Sequence, residues 1–494
     1  MRDADASVGL AIRKYRRGLP LLTACGLALG LRLYALGRYP LDGDEIFSIR
    51  ASAATWGNLI SIAINDKSHP PLFYAILKLW LLLVPAKEIW ARLPSVLFGT
   101  ALIPVTFGIC RKLRLAEADT VLVILVIAVN SELIFYAQQA RMFPLFELSS
   151  ALSILAFIYF LESWVSWRLL ALLSLVNLLM VYSHYWGLLA IGAQLLCVLL
   201  GHRAKVGGFL WSSAIVAVGF APWALGVTTA GVDHGAVMRQ IAWMGADIAG
   251  SRDYAELVGE IDGPIDFKHA TSLGIVLFLG PPTVIFLRQV RRGAPPPFDT
   301  RGIGLWGLLA GIPVVLTSFG SYLAHQSFWG TRHLTMIIVP YFVMVGLSLT
   351  ELSAPFAKQV LRCLILAWAV TTSTLSLAEI NKEIYWEIIA KEIASADRVP
   401  VYATEPFVKG PLEYHFQHSA ATAIAVNEQL DLSRITEERF WFVYRDISWR
   451  EQAPEIQLVA RGDSIEHRLT VRSERSERER QPITALLVPR AQSN

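Results

Sequence analysis

The chain alternates between long apolar stretches and short polar connections over most of its length. Six stretches contain no Asp, Glu, Lys or Arg, namely residues 93–110, 169–201, 206–232, 270–287, 302–331 and 334–350. An apolar run of about 18 or more residues is typical of a helix that spans a membrane, whereas a buried soluble helix needs only about 10–14. The pattern therefore predicts an all-α polytopic membrane protein with a soluble appendage at its C-terminal end.

The hydrophobic pattern predicts about eleven transmembrane helices. They lie at residues 19–37, 93–110, 120–136, 144–161, 168–184, 187–201, 208–227, 271–287, 303–323, 334–351 and 361–378. The apolar stretch 71–84 is short and is interrupted by Lys78, so we expect it to be interfacial or re-entrant. Residues 38–92 would then form a large first outer loop with interfacial helices, and residues 228–269 a second outer loop.

The composition changes near residue 381. A helical pattern at 383–396 precedes four strand-like stretches, at residues 399–403, 421–426, 440–444 and 483–488, which predicts a small α/β domain over residues 381–494. The transmembrane domain would occupy residues 19–380. The whole chain has 54% hydrophobic and 17% charged residues, against about 25% charged in a typical soluble domain. No disulfide or metal-type spacing links the four cysteines.

Basic residues are concentrated in alternate connections between the predicted spans. Residues 1–18 form a basic N-terminus, and the first span reads as a signal anchor. Alternate segments then carry Arg111, Lys112, Arg114, Arg168, Arg203, Lys205, Arg288, Arg291, Arg292, Arg301, Lys358 and Arg362. By the positive-inside rule, the N-terminus and these segments are cytoplasmic. The C-terminal domain would lie on the outer, periplasmic side of the cytoplasmic (inner) membrane, and Arg141 and Arg332 are exceptions in short outer loops.

An acidic stretch, LDGDE at residues 41–45, follows the first span. Carboxylates at a membrane surface are costly unless they meet water, a cation or a substrate. Asp44 or Glu45 could accept the proton of an attacking hydroxyl, or the two could hold a divalent cation such as Mg or Mn. Alternatively, Asp44 is the N-cap of a helix that begins at Glu45; the two roles are compatible.

Two further motifs place cations at predicted outer helix ends. His69 stands before two prolines in SHPPLFY, and Arg141 lies in YAQQARMF between two spans. An imidazole can contact a phosphate or a metal, and a guanidinium can donate two hydrogen bonds to one phosphate. The alternatives are a structural loop histidine and an arginine that extends to lipid headgroups.

The last outer loop and one helix tip add three polar residues. Arg332 and His333 end the stretch FWGTRH, and His184 lies in YSHYW, where its alternative role is that of an interfacial residue in an aromatic belt. All these residues lie at predicted outer helix ends, together with the carboxylates of the first loop. The convergence predicts a site for an anionic, membrane-borne substrate that opens to the outside.

The ordered set of motifs resembles a known superfamily. Asp-Glu after the first span, His-Pro-Pro-Leu-Phe-Tyr, Ala-Arg-Leu-Pro-Ser at residues 91–95, Gln-Ala-Arg-Met-Phe and Arg332-His333 follow one another as in the GT-C glycosyltransferases. The chain is similar to the protein O-mannosyltransferase and lipid A aminoarabinose transferase group. It is closest to the bacterial branch that includes lipopolysaccharide galacturonosyltransferases, and the resemblance covers about residues 15–380.

The resemblance implies an activity at the cell envelope. Such enzymes transfer a sugar from a polyprenyl-phosphate donor to an acceptor hydroxyl of a lipid, glycan or protein on the non-cytoplasmic side. Asp44 matches the family's acidic residue in the first loop, the expected catalytic base, and Glu45 matches its acidic neighbour. The implied partners are the donor, the acceptor and membrane lipids; no nucleic acid is expected.

Three cations match family positions near the substrate. His69 falls where relatives carry a basic residue before Pro-Pro, near the lipid phosphate, and Arg141 matches a basic or polar position at the catalytic face. Arg332 falls where relatives carry an Arg-Tyr pair, and His333 takes the place of the tyrosine.

Other functions fit parts of the same pattern. A transporter or flippase of lipid-linked saccharides would carry charged residues near mid-membrane and broken helices, whereas the predicted spans are free of such charges and place polar residues at one face. A scaffold protein, or a ligase that transfers whole glycans from a diphosphate lipid, are further alternatives. The distribution of polar residues favours an enzyme.

Overall fold

The structure, a computed structural model, describes most of the chain. It covers residues 2–38, 41–229, 267–293, 296–324, 335–378, 385–395, 399–404, 406–418, 426–428, 435, 437–445, 458, 463–471 and 483–489. The described part is mostly helical and carries one small mixed sheet. Contacts divide the chain into two compact units, the first made of residues 1–34, 51–86 and 90–377, and the second of residues 35–50, 87–89 and 378–494.

Helices follow one another along the first part of the chain. They are α1 (Arg2–Leu33), α2 (Gly43–Ala53), α3 (Trp56–Asp66), α4 (Leu72–Leu81), α5 (Glu88–Lys112), α6 (Glu117–Val129), α7 (Ser131–Ala137), α8 (Phe143–Glu162), α9 (Trp167–Ser183), α10 (Gly187–Gly201), α11 (Val206–Thr229), α12 (Phe267–Arg292), α13 (Ile303–Ala324), α14 (Ile338–Glu351) and α15 (Pro355–Ala378). Short 3₁₀ turns precede α11 and α14.

Among the described residues, three helices combine the length and the composition needed to cross a membrane. They are α5, α8 and the continuous segment Arg203–Val227, and the pair α6 and α7 adds a fourth span if its 48° bend lies within one span. The remaining apolar helices are shorter, so the predicted number of about eleven spans is not confirmed.

The bend between α6 and α7 has a local cause. The side chain of Asn130 accepts a hydrogen bond from the Leu133 amide at 3.0 Å, which caps α7 as a new helix. The sequence pattern predicted one continuous span at residues 120–136, because the residues before Asn130 and those from Leu133 onward are apolar.

Small polar contacts join helices inside the first unit. Ser153 on α8 donates to the Asn177 side chain on α9 at 2.5 Å, and the Gln194 amide on α10 donates to Ser153 at 2.7 Å. Ser174 and Ser212 join α9 to α11 at 2.8 Å. Each contact of this kind contributes on average about 0.6 kcal/mol inside a membrane.

One end of the first unit collects basic residues and their acidic partners. Lys112 at the end of α5 pairs with Glu162 at the end of α8 at 2.8 Å, and Arg362 of α15 pairs with Asp119 of α6 at 2.7 Å. Thr300, just before α13, donates to Glu162 at 2.8 Å. We call this the basic end of the helices; its cations come from segments that the sequence predicted to lie on one side of the membrane.

The second unit contains the sheet, in strand order β2-β1-β3-β5-β4. The strands are β1 (Val401–Ala403), β2 (Val426–Glu428), β3 (Arg439–Arg445), β4 (His467–Val471) and β5 (Ile483–Pro489), with helices α16 (Tyr385–Ser395) and α17 (Pro406–His418). Strand β1 is parallel to β2 and β3, and β5 is antiparallel to β3 and β4. Helix α17 follows β1 and so belongs to the crossover that a parallel pair requires.

Both faces of the sheet are buried. In β3, Trp441 packs with Leu412 of α17 and with α16 on one face, while Phe440 and Phe442 pack with Leu486 on the other. This alternation is the two-residue period of a strand. Strands β1, β3 and β5 lie where the sequence predicted strands, whereas β4 and α17 were missed, and most of 421–426 lies outside the described residues.

Candidate functional site

The acidic stretch forms the start of α2 through a reciprocal pair of hydrogen bonds. The Glu45 amide donates to the Asp42 carboxylate at 2.8 Å, and the Asp42 amide donates to the Glu45 carboxylate at 3.1 Å. This is a capping box, in which the N-cap and the third helical residue satisfy each other's amides. The prediction that Asp44 caps a helix beginning at Glu45 is therefore wrong, because Asp42 is the cap and α2 begins at Gly43.

The capping box separates the roles of the two predicted catalytic carboxylates. Glu45 is 1% exposed and its carboxylate stabilises the helix start. Asp44 is half-buried in the first turn of α2. The box does not involve Asp44, so Asp44 rather than Glu45 is the better candidate for a proton acceptor.

Helix α2 is held by the C-terminal part of its own unit. Arg50 pairs with Glu413 of α17 at 2.9 Å, and Lys409 approaches the same carboxylate at 3.7 Å. A side chain at Gly410 would come within 3.0 Å of the Arg50 guanidinium. The acidic helix and the α/β domain are thus in direct contact, which the sequence analysis did not predict.

Three predicted cations meet in the first unit around one aromatic ring. The ring centroid of Phe143 lies 6.3 Å from that of His69 and 6.1 Å from that of His184, and the two histidine rings are 5.5 Å apart. The Arg141 guanidinium lies 5.8 Å from the Phe143 centroid. We call His69, Arg141, Phe143 and His184 the histidine–arginine cluster.

Local backbone structure fixes each member of the cluster. Arg141 lies in the tight turn between α7 and α8, where its amide donates to Gln139 at 2.8 Å and its carbonyl accepts from Ser95 at 3.0 Å. His69 directly precedes the two prolines that lead into α4. His184 is the C-cap of α9.

The hydrogen bond at His184 selects its tautomer. Its Nδ1 accepts from the Trp186 amide at 3.2 Å, so in the neutral ring the proton is on Nε2. The ring stacks on Phe146, with centroids 4.9 Å apart. The cluster therefore contains a buried N–H donor besides the guanidinium of Arg141.

The cluster is almost completely buried. Arg141 is 4%, His184 2% and His69 9% exposed. Aromatic rings stabilise a cation by up to about 2 kcal/mol when water is excluded. Donors that are fixed in such a dry site act strongly on an anion, because their charges are little screened.

A tyrosine next to His184 is held in its neutral form. The Tyr185 hydroxyl accepts from the Trp223 indole at 3.1 Å. Burial raises the pKa of Tyr185, and the nearby Asp66 carboxylate raises it further. The Tyr185 hydroxyl next to His184 is therefore uncharged at physiological pH.

Two buried ionisable residues lie near the ends of helices that the sequence predicted to span the membrane. Arg32 of α1 is 0% and Glu147 of α8 is 2% exposed. The sequence carried the signal, since an ionisable residue within an apolar span is costly and is commonly functional. Arg32 lies in the last turn of α1, and Glu147 lies near the start of α8, which begins at Phe143.

The remaining predicted site residues are not brought together by the described structure. Arg332 and His333 lie outside the described residues. In the part of the chain that is described, no group of three or more His, Cys, Asp or Glu side chains could hold a metal ion. Binding of a divalent cation at Asp44 and Glu45 stays a prediction.

Comparison with known proteins identifies the fold. No protein-family model and no curated protein sequence matches the chain. ArnT from Cupriavidus metallidurans bound to undecaprenyl phosphate superposes with a TM-score of 0.52 at 12% identity, covering 94% of this chain and 97% of ArnT. The apo state of ArnT gives 0.53 at 12% identity, with 97% and 98% covered. The archaeal oligosaccharyltransferase AglB from Archaeoglobus fulgidus, in complex with an inhibitory peptide and a dolichol-phosphate, gives 0.49 at 12% identity, with 83% and 60% covered.

The chain thus shares its fold with ArnT over nearly its whole length. This is the fold that the resemblance of the ordered motifs implies, and it supports a membrane-embedded helical unit. At 12% identity the likeness concerns the fold.

Proposed function

We propose that the protein is a membrane glycosyltransferase that moves a sugar from a polyprenyl-phosphate donor to an acceptor hydroxyl. The observation that carries this proposal is the buried histidine–arginine cluster at the helix ends opposite the basic end. The fold it occurs in is shared with a protein crystallised with undecaprenyl phosphate. The acceptor would be a lipid, glycan or protein of the cell envelope, with lipopolysaccharide as one candidate.

The cluster suits the leaving group of such a reaction. When the sugar leaves, negative charge grows on the lipid phosphate, which needs hydrogen-bond donors rather than a proton. Arg141 would donate with its planar guanidinium, His184 with its Nε2–H, and His69 with its imidazole. Loss of a charged donor such as Arg141 is expected to cost about 10²–10³ in rate, and loss of a neutral donor less.

The acidic helix suits the other half of the reaction. An acceptor hydroxyl is a poor nucleophile until a base takes its proton, and we assign that role to Asp44. Glu45 supports it by fixing the helix start. A Mg or Mn ion at Asp44 would serve the same end, by lowering the pKa of the hydroxyl.

The orientation follows from the basic end. If the cations of this end lie in the cytoplasm, as the positive-inside rule requires, the cluster belongs to the opposite side of the membrane. We therefore assign the protein to the inner membrane, with a cytoplasmic N-terminus and a periplasmic C-terminal domain.

A transporter of lipid-linked saccharides is the second candidate. The 48° break between α6 and α7 and the buried charges Arg32 and Glu147 are features that transporters use at their binding sites. These two features favour the transporter, whereas the apolar pattern of the predicted spans favours the enzyme.

The test compares two aspartates of the same helix start. Wild type, Asp44→Asn and Asp42→Asn would be purified into nanodiscs and supplied with radiolabelled polyprenyl-phosphate sugars and a membrane extract as acceptor. We expect transfer by wild type, a loss of about 10²-fold or more in Asp44→Asn, and near-normal transfer in Asp42→Asn, because Asn caps a helix about as well as Asp.

Each failure has a distinct meaning. Undiminished transfer by folded Asp44→Asn would remove Asp44 as the base and leave the enzyme class in place. If wild type transfers nothing from any donor but moves labelled lipid across proteoliposomes, the transporter replaces the enzyme.

A further inference from the structure

A pair of side chains joins the end of α1 to the broken helix pair α6 and α7. Arg32 lies in the last turn of α1, and its Nη1 donates to the Ala28 and Ala128 carbonyls, each at 3.1 Å. Ala128 is in the last turn of α6, whose final carbonyls have no partner within the helix. Arg32 therefore satisfies a helix end that the bend at Asn130 leaves open.

The second side chain, Gln138, reaches from the end of α7 back to the end of α1. The Gln138 amide nitrogen follows α7 and lies 2.8 Å from the Tyr34 carbonyl, 3.3 Å from that of Leu31 and 3.4 Å from that of Arg32. These are carbonyls at the end of α1. Each helix end is thus capped by a side chain from the other, and we call Arg32 and Gln138 the reciprocal clamp.

Helix α5 closes tightly on the reciprocal clamp. A side chain at Gly99 would come within 2.9 Å of the Arg32 Nε and 3.0 Å of the Ala137 side chain, so any larger residue would force these neighbours to move. One turn earlier, Ser95 donates to the Arg141 carbonyl at 3.0 Å. The turn that carries Arg141 is therefore fixed by the clamp at Gln138 and by α5 at Arg141 itself.

We propose that Arg32 and Gln138 are positioning residues that hold Arg141 in place for the phosphate of the donor lipid. The inference rests on the proposed function of the cluster. Arg141 is three residues beyond Gln138 in a turn with little slack, so a shift of α7 against α1 moves its guanidinium. A displacement of about 1 Å in a positioning contact can lower a rate about 10²-fold.

The sequence provides a matched control, because Gln139 is also buried and is not part of the clamp. Gln138→Met keeps about the same side-chain length but removes the donor to the α1 carbonyls. Gln139→Met makes the same neutral change one residue further on and leaves in place the backbone carbonyl that accepts from the Arg141 amide. Both variants and wild type would be compared in nanodiscs for thermal stability, undecaprenyl phosphate binding and sugar transfer from the donor that wild type uses.

We expect Gln138→Met to lower kcat/KM for the donor by about 10²-fold and to weaken undecaprenyl phosphate binding by about tenfold, while folded protein is retained. Gln139→Met should stay within about threefold of wild type in both measurements. If Gln138→Met does not fold, Gln138→Asn, which keeps an amide on a shorter side chain, takes its place. Arg32→Lys, which keeps a cation and a donor, should retain more activity than Arg32→Met.

Equal kinetics in the Gln138 and Gln139 variants would overturn the inference. A loss of stability in Gln138 variants without any change in binding or transfer by the folded protein would also overturn it, because the clamp would then be only structural. Failure of wild type to bind undecaprenyl phosphate and to transfer sugar would overturn the proposed function, and this inference with it; the wild-type measurement thus separates the two failures.

Discussion

Charged and polar side chains have different neighbours at the two ends of the helical unit. At the basic end, buried Asp119 meets Arg362 at 2.7 Å and Lys112 meets Glu162 at 2.8 Å, so cations and carboxylates neutralise each other directly. At the other end, Arg141, His69 and His184 lie around the ring of Phe143. Aromatic rings are therefore neighbours of these side chains, and such rings can stabilise a cation.

This difference suggests different tasks. Direct ion pairs hold loops together and orient the protein, and their loss should change stability. In the proposed function the donors of the histidine–arginine cluster bind an anion, so their loss should change binding and transfer. Mutations at the two ends should therefore separate the two properties.

The largest expected effect is at Arg141. Arg141→Ala should lower sugar transfer by about 10²–10³-fold, because one donor to the developing phosphate charge is lost. Arg141→Lys should recover part of the rate, since a lysine provides the charge but not the planar fork. Initial rates at saturating donor in nanodiscs measure this, and an unchanged rate in folded Arg141→Ala would separate the cluster from the reaction.

The next effect concerns stability at the basic end. Arg362→Met leaves the Asp119 carboxylate buried without its ion-pair partner, which typically costs about 3–5 kcal/mol. Thermal unfolding in detergent should show a clear loss of stability, with transfer per folded molecule unchanged. A fall in specific transfer that matches Arg141→Ala would contradict the separation of the two ends.

A smaller effect is expected at His184. His184→Phe keeps an aromatic ring against Phe146 but removes the Nε2–H donor, so we expect transfer to fall about tenfold, or about 1.4 kcal/mol. Comparison of kcat/KM with that of Phe146→Leu, which disturbs the packing and keeps the donor, isolates the hydrogen bond. Equal losses in both variants would mean that only packing matters.

The smallest effect should be at Lys112. Lys112 and Glu162 are about one-quarter to one-third exposed, and pairs of this kind contribute about 0–1 kcal/mol. Lys112→Met should shift the thermal midpoint slightly and leave transfer unchanged. Any large change in transfer would show that the basic end takes part in function.

The meeting of His69, Arg141 and His184 was predictable from the sequence. Each residue lies next to an apolar helix, in a loop that the alternation of spans places on the outer side of the membrane. Their loops were therefore expected at the same end of the helices. The basic end follows from the same logic, and its cations were also identified from the sequence.

The start of α2 was predictable but was assigned incorrectly. The spacing of Asp42 and Glu45 is that of a capping box, whereas the adjacent pair Asp44-Glu45 predicted Asp44 as the cap. The buried charges Arg32 and Glu147 also carried a signal, since each interrupts an apolar helix.

The reciprocal clamp could not be found from sequence patterns. Arg32 and Gln138 are separated by 106 residues, and their contact depends on the bend that Asn130 introduces. Strand β4 was missed for a different reason: its sequence, HRLTV, is largely polar and its first residues are exposed at the edge of the sheet, so it lacks the apolar alternation of β3.

Equilibrium binding of undecaprenyl phosphate in nanodiscs tests the central claim most directly, that the histidine–arginine cluster holds a lipid phosphate. Wild type, Arg141→Ala and Arg362→Met would be titrated side by side. We predict that Arg362→Met binds as wild type does and that Arg141→Ala binds at least about tenfold more weakly, a difference of about 1.4 kcal/mol. Equal affinity of Arg141→Ala and wild type would contradict the claim.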